Sequence, residues 1–349
     1  MAKHVTWAVP GDIQTVTGGY AYDRRIIAEL KRLGWDVELV SLDDGFPRPS
    51  ADQKTQAQAR LLATTPRHPI VIDGLAFGVL PDAAAVLHRT HPVVALVHHP
   101  LALETGLAER EADALLASER AALASTTQVI ATSPWTADVL IERFGVASSR
   151  LTVILPGTDR APFAPGSNMP VSLLSVGAIG VRKSFDLLVE ALAPLADRPW
   201  RLVIAGDRTR DAAATARLDA LIARHGLEHR IDVPGAVSPE RLEALYAAAD
   251  LFVLASRFEG YGMAFAEALA HGLPVIGTTG GATPSTVPAS AGRLVAPGDV
   301  PALSEALREL IDDPERRRAL AAGARAAAAR LPSWADSGAA FSDLLARLT

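Results

Sequence analysis

The sequence predicts an α/β protein made of two Rossmann-like, doubly wound domains facing a cleft. Three observations carry that prediction. The chain has 349 residues, 49% hydrophobic and 21% charged, enough for two cores of about 150–180 residues each. Short apolar runs alternate with Ala/Leu-rich helical stretches over almost the whole length, the pattern of parallel strands covered by helices. Finally, Leu155–Pro170 holds four prolines and two glycines and reads as a linker between the two domains.

Taken in order, the apolar runs Val5–Val9, Val37–Ser41, Ile70–Ile72, Val93–Val97, Val129–Ala131 and Leu151–Ile154 are the strands of the first domain. Helices over Tyr20–Leu33, Val79–Arg89, Glu104–Ala124 and Pro134–Arg143 separate them. Beyond the linker, strands fall at Ser172–Val176, Leu202–Ala205, Ile231–Val233, Leu251–Leu254, Val275–Ile276 and Gly292–Val295. The second set of helices covers Phe185–Ala196, Ala212–His225, Pro239–Ala248, Met263–His271, Ala302–Ile311 and Pro314–Ala329. The domains are therefore 1–160 and 170–330, and 331–349 is a C-terminal helix expected to cross back to the first domain and pack at the interdomain seam. Asp43–Gln58 carries no informative motif.

Composition excludes several classes of function. A net charge of −5 and a pI of about 6.0 give no global field for nucleic acid. With no cysteine, disulfides, thiol catalysis and Cys-ligated zinc are ruled out. The N-terminus enters a strand without a long apolar signal core, and no apolar run is long enough to span a bilayer. The expected location is cytoplasmic, with the inner face of the membrane as an option. Arg24, Arg25, Lys31 and Arg32 make the first helix a candidate for peripheral contact with an anionic surface.

The chemistry concentrates in Ser256–Val275. Glu259 stands in a glycine loop after a buried strand, and Glu267 lies eight positions on, within the next helix. Gly260 and Gly262 let the backbone approach a ligand closely. The N–H groups of Gly262, Met263 and Ala264 would face negative charge at the helix start, and both acids would accept from ligand hydroxyls. Glu267 sits among Ala264, Phe265, Ala266, Ala268, Leu269 and Ala270, poor company for a solvated charge. A dinucleotide fingerprint fails here because Phe265 occupies the third small position. Arg182 and Lys183, after the first strand of the second domain, suit a leaving diphosphate. In the first domain, Gly18 and Gly19 permit close approach, and His98 and His99 end a strand where an imidazole can donate to a sugar hydroxyl, with Glu104 near enough to orient it. His88, His91, His98 and His99 are close in sequence, yet no H-E-x-x-H or D-x-D pattern accompanies them, so no metal site is expected.

Glu259-x7-Glu267, with its tail Ala268-Leu-Ala-His-Gly-Leu-Pro-Val275, resembles the signature of glycosyltransferase family 4. Thr17-Gly-Gly-Tyr20, Leu33-Gly-Trp-Asp-Val37, Leu96-Val-His-His-Pro100, Val176–Lys183, Leu245–Asp250 and Gly280-Gly281 extend the resemblance over nearly the full chain. It implies the GT-B fold and a retaining, metal-independent transfer of a hexosyl unit from a UDP- or GDP-linked sugar to a hydroxyl of a glycan, lipid or small molecule, with no cofactor. It further implies that Arg182 and Lys183 grip the diphosphate, that Glu259 contacts the transferred sugar, and that Glu267 holds the ribose. Backbone from Gly235 to Val237 would read the base, and amides near Tyr261–Ala264 would touch phosphate or sugar. Gly177 lies in the same donor loop, His98 would face the transferred sugar, and Gly18 and Gly19 would approach the diphosphate. Two departures stand out: Gly177-Ala178 replaces the usual Gly-Arg, and Ala282–Thr286 replaces an acidic residue after the double glycine. The competing classes are a GT-B sugar-nucleotide epimerase and a non-catalytic sugar-nucleotide-binding protein. The acceptor, the linkage and the oligomeric state are not encoded in any motif.

Overall fold

A computed structural model describes residues 3–166 and 169–349. The chain divides into two compact units, Met1–Gly157 with Pro332–Thr349, and Thr158–Leu331.

In the first unit six strands form one parallel sheet: β1 His4–Pro10, β2 Asp36–Leu42, β3 Ile70–Asp73, β4 Val93–Val97, β5 Gln128–Ala131 and β6 Leu151–Val153, in the order β2-β1-β3-β4-β5-β6. Every residue of β3 and β4 is buried, as expected of central strands covered on both faces. The helices are α1 Gly18–Arg32, α2 Ala51–Leu62, α3 Gly74–Phe77, α4 Pro81–Leu87, α5 Glu109–Ala124 and α6 Pro134–Phe144. The chain runs from β1 outward to β2 and then returns to the other side of β1 for β3. The point where strand order reverses therefore lies between β1 and β3, and in open parallel sheets ligands bind beyond the carboxyl ends of the strands at such a point.

The second unit has β7 Val171–Val176, β8 Trp200–Ala205, β9 Ile231–Gly235, β10 Leu251–Val253, β11 Val275–Thr278 and β12 Gly292–Val295, all parallel in the order β12-β11-β10-β7-β8-β9. Its helices are α7 Phe185–Leu192, α8 Ala212–Arg224, α9 Pro239–Ala248, α10 Met263–Ala270, α11 Thr283–Thr286, α12 Val300–Asp312 and α13 Pro314–Ala328. Here the order reverses between β7 and β10.

The last helix, α14 Trp334–Ala346, belongs to the first unit. It packs on α1, where Gly338 lets the two helices close: a Cβ there would come within 2.4 Å of Glu29 Cβ. Phe341 meets Trp7 of β1 at 5.1 Å between ring centroids, and the Trp35 indole donates to Ser342 Oγ at 2.9 Å.

The structure corrects the sequence reading at three helices. In the stretch credited with no motif, α2 is opened by a capping box between Ser50 and Gln53. Its inward side is only Ala57 and Leu61, too thin a stripe to stand out as periodicity. The expected Glu104–Ala124 helix begins at Glu109, after Gly106 takes a left-handed φ of 89°. Val79–Arg89 shortens to α4, which starts with Pro81 at its first position. The linker segment has no regular structure over residues 155–166, and 167 and 168 lie outside the described residues. It is nonetheless anchored to the second unit, where Ala164 N–H bonds His271 O at 2.8 Å and Arg325 stacks over Phe163.

Candidate functional site

The β7 and β10 loops emerge side by side at the reversal point of the second sheet, and they carry the residues singled out above. Lys183 Nζ donates to Glu259 Oε1 at 2.7 Å and Arg182 Nη1 to Glu259 Oε2 at 3.3 Å. Arg182 also bonds Phe258 O at 3.0 Å, and Ser256 Oγ donates to Glu259 Oε1 at 2.5 Å. Burial alone would raise the Glu259 carboxyl, but the Lys183 and Arg182 charges outweigh it and hold it below its ordinary range. Burial likewise pushes the Lys183 ammonium down, with Glu259 opposing. The sequence reading assigned the cations and the acid to different parts of a ligand. In the folded chain they are one ion-paired cluster.

Local structure fixes these groups. Gly177 ends β7 beneath Lys183, and a Cβ there would lie 3.0 Å from Lys183 Cε. Gly280 and Gly281 back the Glu259 loop: Ala282 N–H bonds Glu259 O at 2.8 Å, and a Cβ on Gly281 would lie 2.2 Å from that same oxygen. Gly262 caps α10 at a φ of 87°, where a Cβ would also strike Phe265 at 2.8 Å. The Phe265 and Ala266 N–H groups turn back to Gly262 O. Met263 and Ala264 are therefore the first two helical residues, the positions at which N–H groups point out of a helix start. Gly260 lies half-buried in the loop, and Tyr261 is buried with its carbonyl accepting from Thr286 Oγ1 at 2.6 Å. Glu267 accepts from Tyr246 Oη at 2.8 Å, and burial raises its carboxyl with Tyr246 opposing. Gly235 ends β9 with a φ of 83°, and Val237, two residues on, packs against the core.

In the first unit, Gly18 opens α1 and Gly19 faces His98, whose Cδ2 would lie 3.2 Å from a Cβ on Gly19. His98 follows β4, at the reversal point of that sheet. The carboxylates facing it are Asp23 of α1, at 3.4 Å from Nε2, and Asp73 at the end of β3, at 3.7 Å. Glu104, offered from sequence as the orienting acid, accepts from Thr105 N–H. Asp23, Asp73 and His98 form the one group of three potential ligating side chains among the described residues whose ligand atoms lie within 4.8 Å of one another. His88, His91 and His99 are not in it. Both acids escaped the sequence reading, yet a signal existed: Asp23 shares the buried stripe of α1 with Ile26 and Leu30, and Asp73 closes a wholly buried strand.

Just beyond His98, Glu119 of α5 accepts from Leu101 N–H at 2.8 Å and Ala102 N–H at 2.9 Å, tying down the turn after Pro100. Burial raises its carboxyl to about 7. A raised acid makes the folded chain bind more protons than the unfolded one between the two values, so this group's contribution to stability falls as pH rises from 4.5 toward 7. Glu119→Gln should therefore gain on the wild type by about 2.5 kcal/mol between pH 5 and pH 8, read from urea unfolding at both pH values.

Of the candidate basic surface on α1, Arg24 bonds Thr15 O at 3.2 Å, Arg25 stacks on Trp334, and Arg32 pairs with Glu29. No helix among the described residues is long and apolar enough to cross a membrane.

Two family models match the chain. One, described as Glycosyltransferase Family 4, matches residues 18–161, and the other, described as Glycosyl transferases group 1, matches residues 159–327. Among curated relatives, mannosylfructose-phosphate synthase of Agrobacterium fabrum is 37% identical over 45% of this chain and 38% of its own length. D-inositol 3-phosphate glycosyltransferase of Xylanimonas cellulosilytica is 31% identical over 66% of this chain and 59% of its own. The alignments thus span less than two thirds of these relatives. Among solved structures, sucrose-phosphate synthase from Thermosynechococcus elongatus superposes with a TM-score of 0.84 at 21% identity, covering 99% of both chains. Anabaena HepE, solved with UDP and glucose, gives 0.79 at 17% identity, covering 99% of this chain and all of its own. At these identities the likeness establishes the fold, GT-B.

Proposed function

The chain belongs to glycosyltransferase family 4, and on that premise we propose that it moves a hexosyl unit from a nucleoside-diphosphate sugar to a hydroxyl acceptor, with retention and without a divalent metal. The observation that carries this reading is the Arg182–Lys183–Glu259 cluster at the β7/β10 reversal point. A diphosphate entering there shares the two cations with Glu259, and the charge that develops as it leaves is met by Lys183, Arg182 and the start of α10. Relieved of part of its pairing, Glu259 can accept from sugar hydroxyls. Glu267, already accepting from Tyr246, offers its remaining lone pairs to the ribose.

Retention follows if the acceptor oxygen attacks the face from which the diphosphate departs. The anomeric C–O bond to phosphate breaks, the bond to the acceptor forms on the same side, and the acceptor proton passes to the departing phosphate oxygen. Anabaena HepE structures hold UDP and UDP-glucose, which supports uridine donors as the first to test. The acceptor-binding role falls to the first unit on this reading, and its chemistry is open to a screen of glycans, lipids and small polyols.

A thermal-shift screen of nucleoside diphosphates and their sugars should reveal one base that raises the melting temperature by mass action. Glu267→Ala should weaken that nucleotide about 10- to 100-fold by calorimetry, the range for losing hydrogen bonds to a charged acceptor. Unchanged affinity would sink the ribose assignment. Transfer should survive EDTA, and loss restored by a divalent ion would overturn the metal-free mechanism. Donor alone converted to a different sugar nucleotide would mark an epimerase instead.

A further inference from the structure

The buried Asp23 carboxylate lies at the first unit's reversal point. Its side chain is 0% exposed, and neither oxygen has a hydrogen-bond partner among the described residues. Desolvated carboxylates persist only when a cation or a donor faces them. The facing group is His98 Nε2 at 3.4 Å, itself buried and without a hydrogen bond.

Among the described residues, three titratable groups from neighbouring elements face the ring. Asp23 and Tyr22 come from α1, and Asp73 comes from β3. Tyr22 stands edge-on to the imidazole at 5.2 Å and donates its hydroxyl to Ile154 O. Asp73 already accepts from Leu75 N–H at 2.7 Å, and burial, then Asp23, raises its carboxyl to about 7. Two buried acids this close cannot both stay ionised beside a neutral ring without leaving net negative charge in a low-dielectric site. An imidazolium with one carboxylate and one carboxylic acid leaves none, and unlike a neutral ring beside two carboxylic acids it sets a cation against the Asp23 oxygens.

We propose that Asp23 is a positioning residue that keeps His98 doubly protonated, with Asp23 as the carboxylate and Asp73 as the acid. His98 is the one partly open member of the group, its side chain 23% exposed against 0% and 3%. Its Nδ1 makes no hydrogen bond among the described residues, so an imidazolium leaves an Nδ1–H free to donate to a ligand. The cluster therefore makes His98 a cationic donor and denies it the role of general base. Burial works against the charged ring, but the facing Asp23 is the largest of the opposing influences, and together these raise the ring's ionisation. The sign follows directly: the ring keeps its second proton to a higher pH than an ordinary imidazole and loses it as pH rises through that raised value.

The functional half of this inference rests on the glycosyl-transfer reading, and the test separates the two. Two-bond proton–nitrogen correlation spectra of the uniformly labelled full chain, in EDTA, should show both His98 nitrogens protonated at pH 7. Asp23→Asn should move the ring's midpoint down by at least one pH unit, while Asp73→Asn, replacing a neutral acid by a neutral amide, should leave it within a few tenths. A neutral ring in the wild type, or equal shifts in the two variants, overturns the proposal. So does a zinc-dependent shift of Nε2 after EDTA is removed, since it would make the trio a cation site. If Asp23→Asn does not fold, Asp73→Asn and the wild-type titration still decide the matter. In transfer assays the basic limb of kcat should move down with the ring in Asp23→Asn. A ring that shifts while the limb stays overturns the role in the reaction, and a confirmed ring charge with no transfer from any donor indicts the assigned function instead.

Discussion

Lys183→Ala should slow glycosyl transfer by about 10²–10³-fold, equivalent to about 2.7–4 kcal/mol of transition-state stabilisation. The effect is large because the ammonium is placed before substrate arrives: Glu259 holds Nζ at 2.7 Å, and Gly177 provides the flat floor beneath the stem. A preoriented cation in a buried site needs no reorganisation as charge develops on the leaving diphosphate. Loss in kcat should exceed loss in donor affinity, because the charge on the departing oxygen is greatest at the transition state. Lys183→Arg should recover little, since a planar fork does not replace a point charge packed over Gly177. Full turnover by the alanine variant, measured with saturating donor, would remove Lys183 from the chemistry.

The second large effect belongs to Glu259. Its removal leaves the largely buried Lys183 without its counter-charge and beside the more open Arg182, and breaking a buried pair in this way destabilises by about 3–5 kcal/mol. Glu259→Ala should show that loss in urea unfolding at pH 7. The gap to wild type should narrow on acidification, because a carboxyl held below its ordinary 4.5 contributes stability above that value and loses it as pH falls through the folded one. A nucleoside diphosphate should then stabilise the variant more than it stabilises the wild type, since the phosphates restore the missing negative charge. Equal stabilisation of both proteins would place the diphosphate elsewhere.

The two predictions draw on a part of the molecule that sequence reading reached unevenly. The strands were legible because parallel strands buried on both faces are continuous apolar runs, as Val93–Val97 and Ile70–Asp73 show. A helix with a thin inward stripe was not, as α2 shows, although its capping residues were in plain view. Glu259, Glu267, Arg182 and Lys183 stood out because each is a charge in apolar or glycine-rich company. Their mutual pairing did not, because it joins loops 76 and 77 residues apart and depends on β7 and β10 being neighbours. The same holds for Asp23, Asp73 and His98, which three separate segments deliver to one point. Single-residue anomalies are local and can be read from a chain, whereas the partner of each anomaly is a property of strand order.

The dependence of the first unit on α14 has a consequence for how the chain is made. Residues 1–157 leave the ribosome before their closing helix exists, and the whole of 158–331 is synthesised in between. During that interval Trp7, which ends up wholly buried, lacks the cover of Phe341. The second unit is contiguous and can complete its fold while the first still lacks α14. A stop codon before Trp334 would thus injure the unit whose strands are made before the second unit.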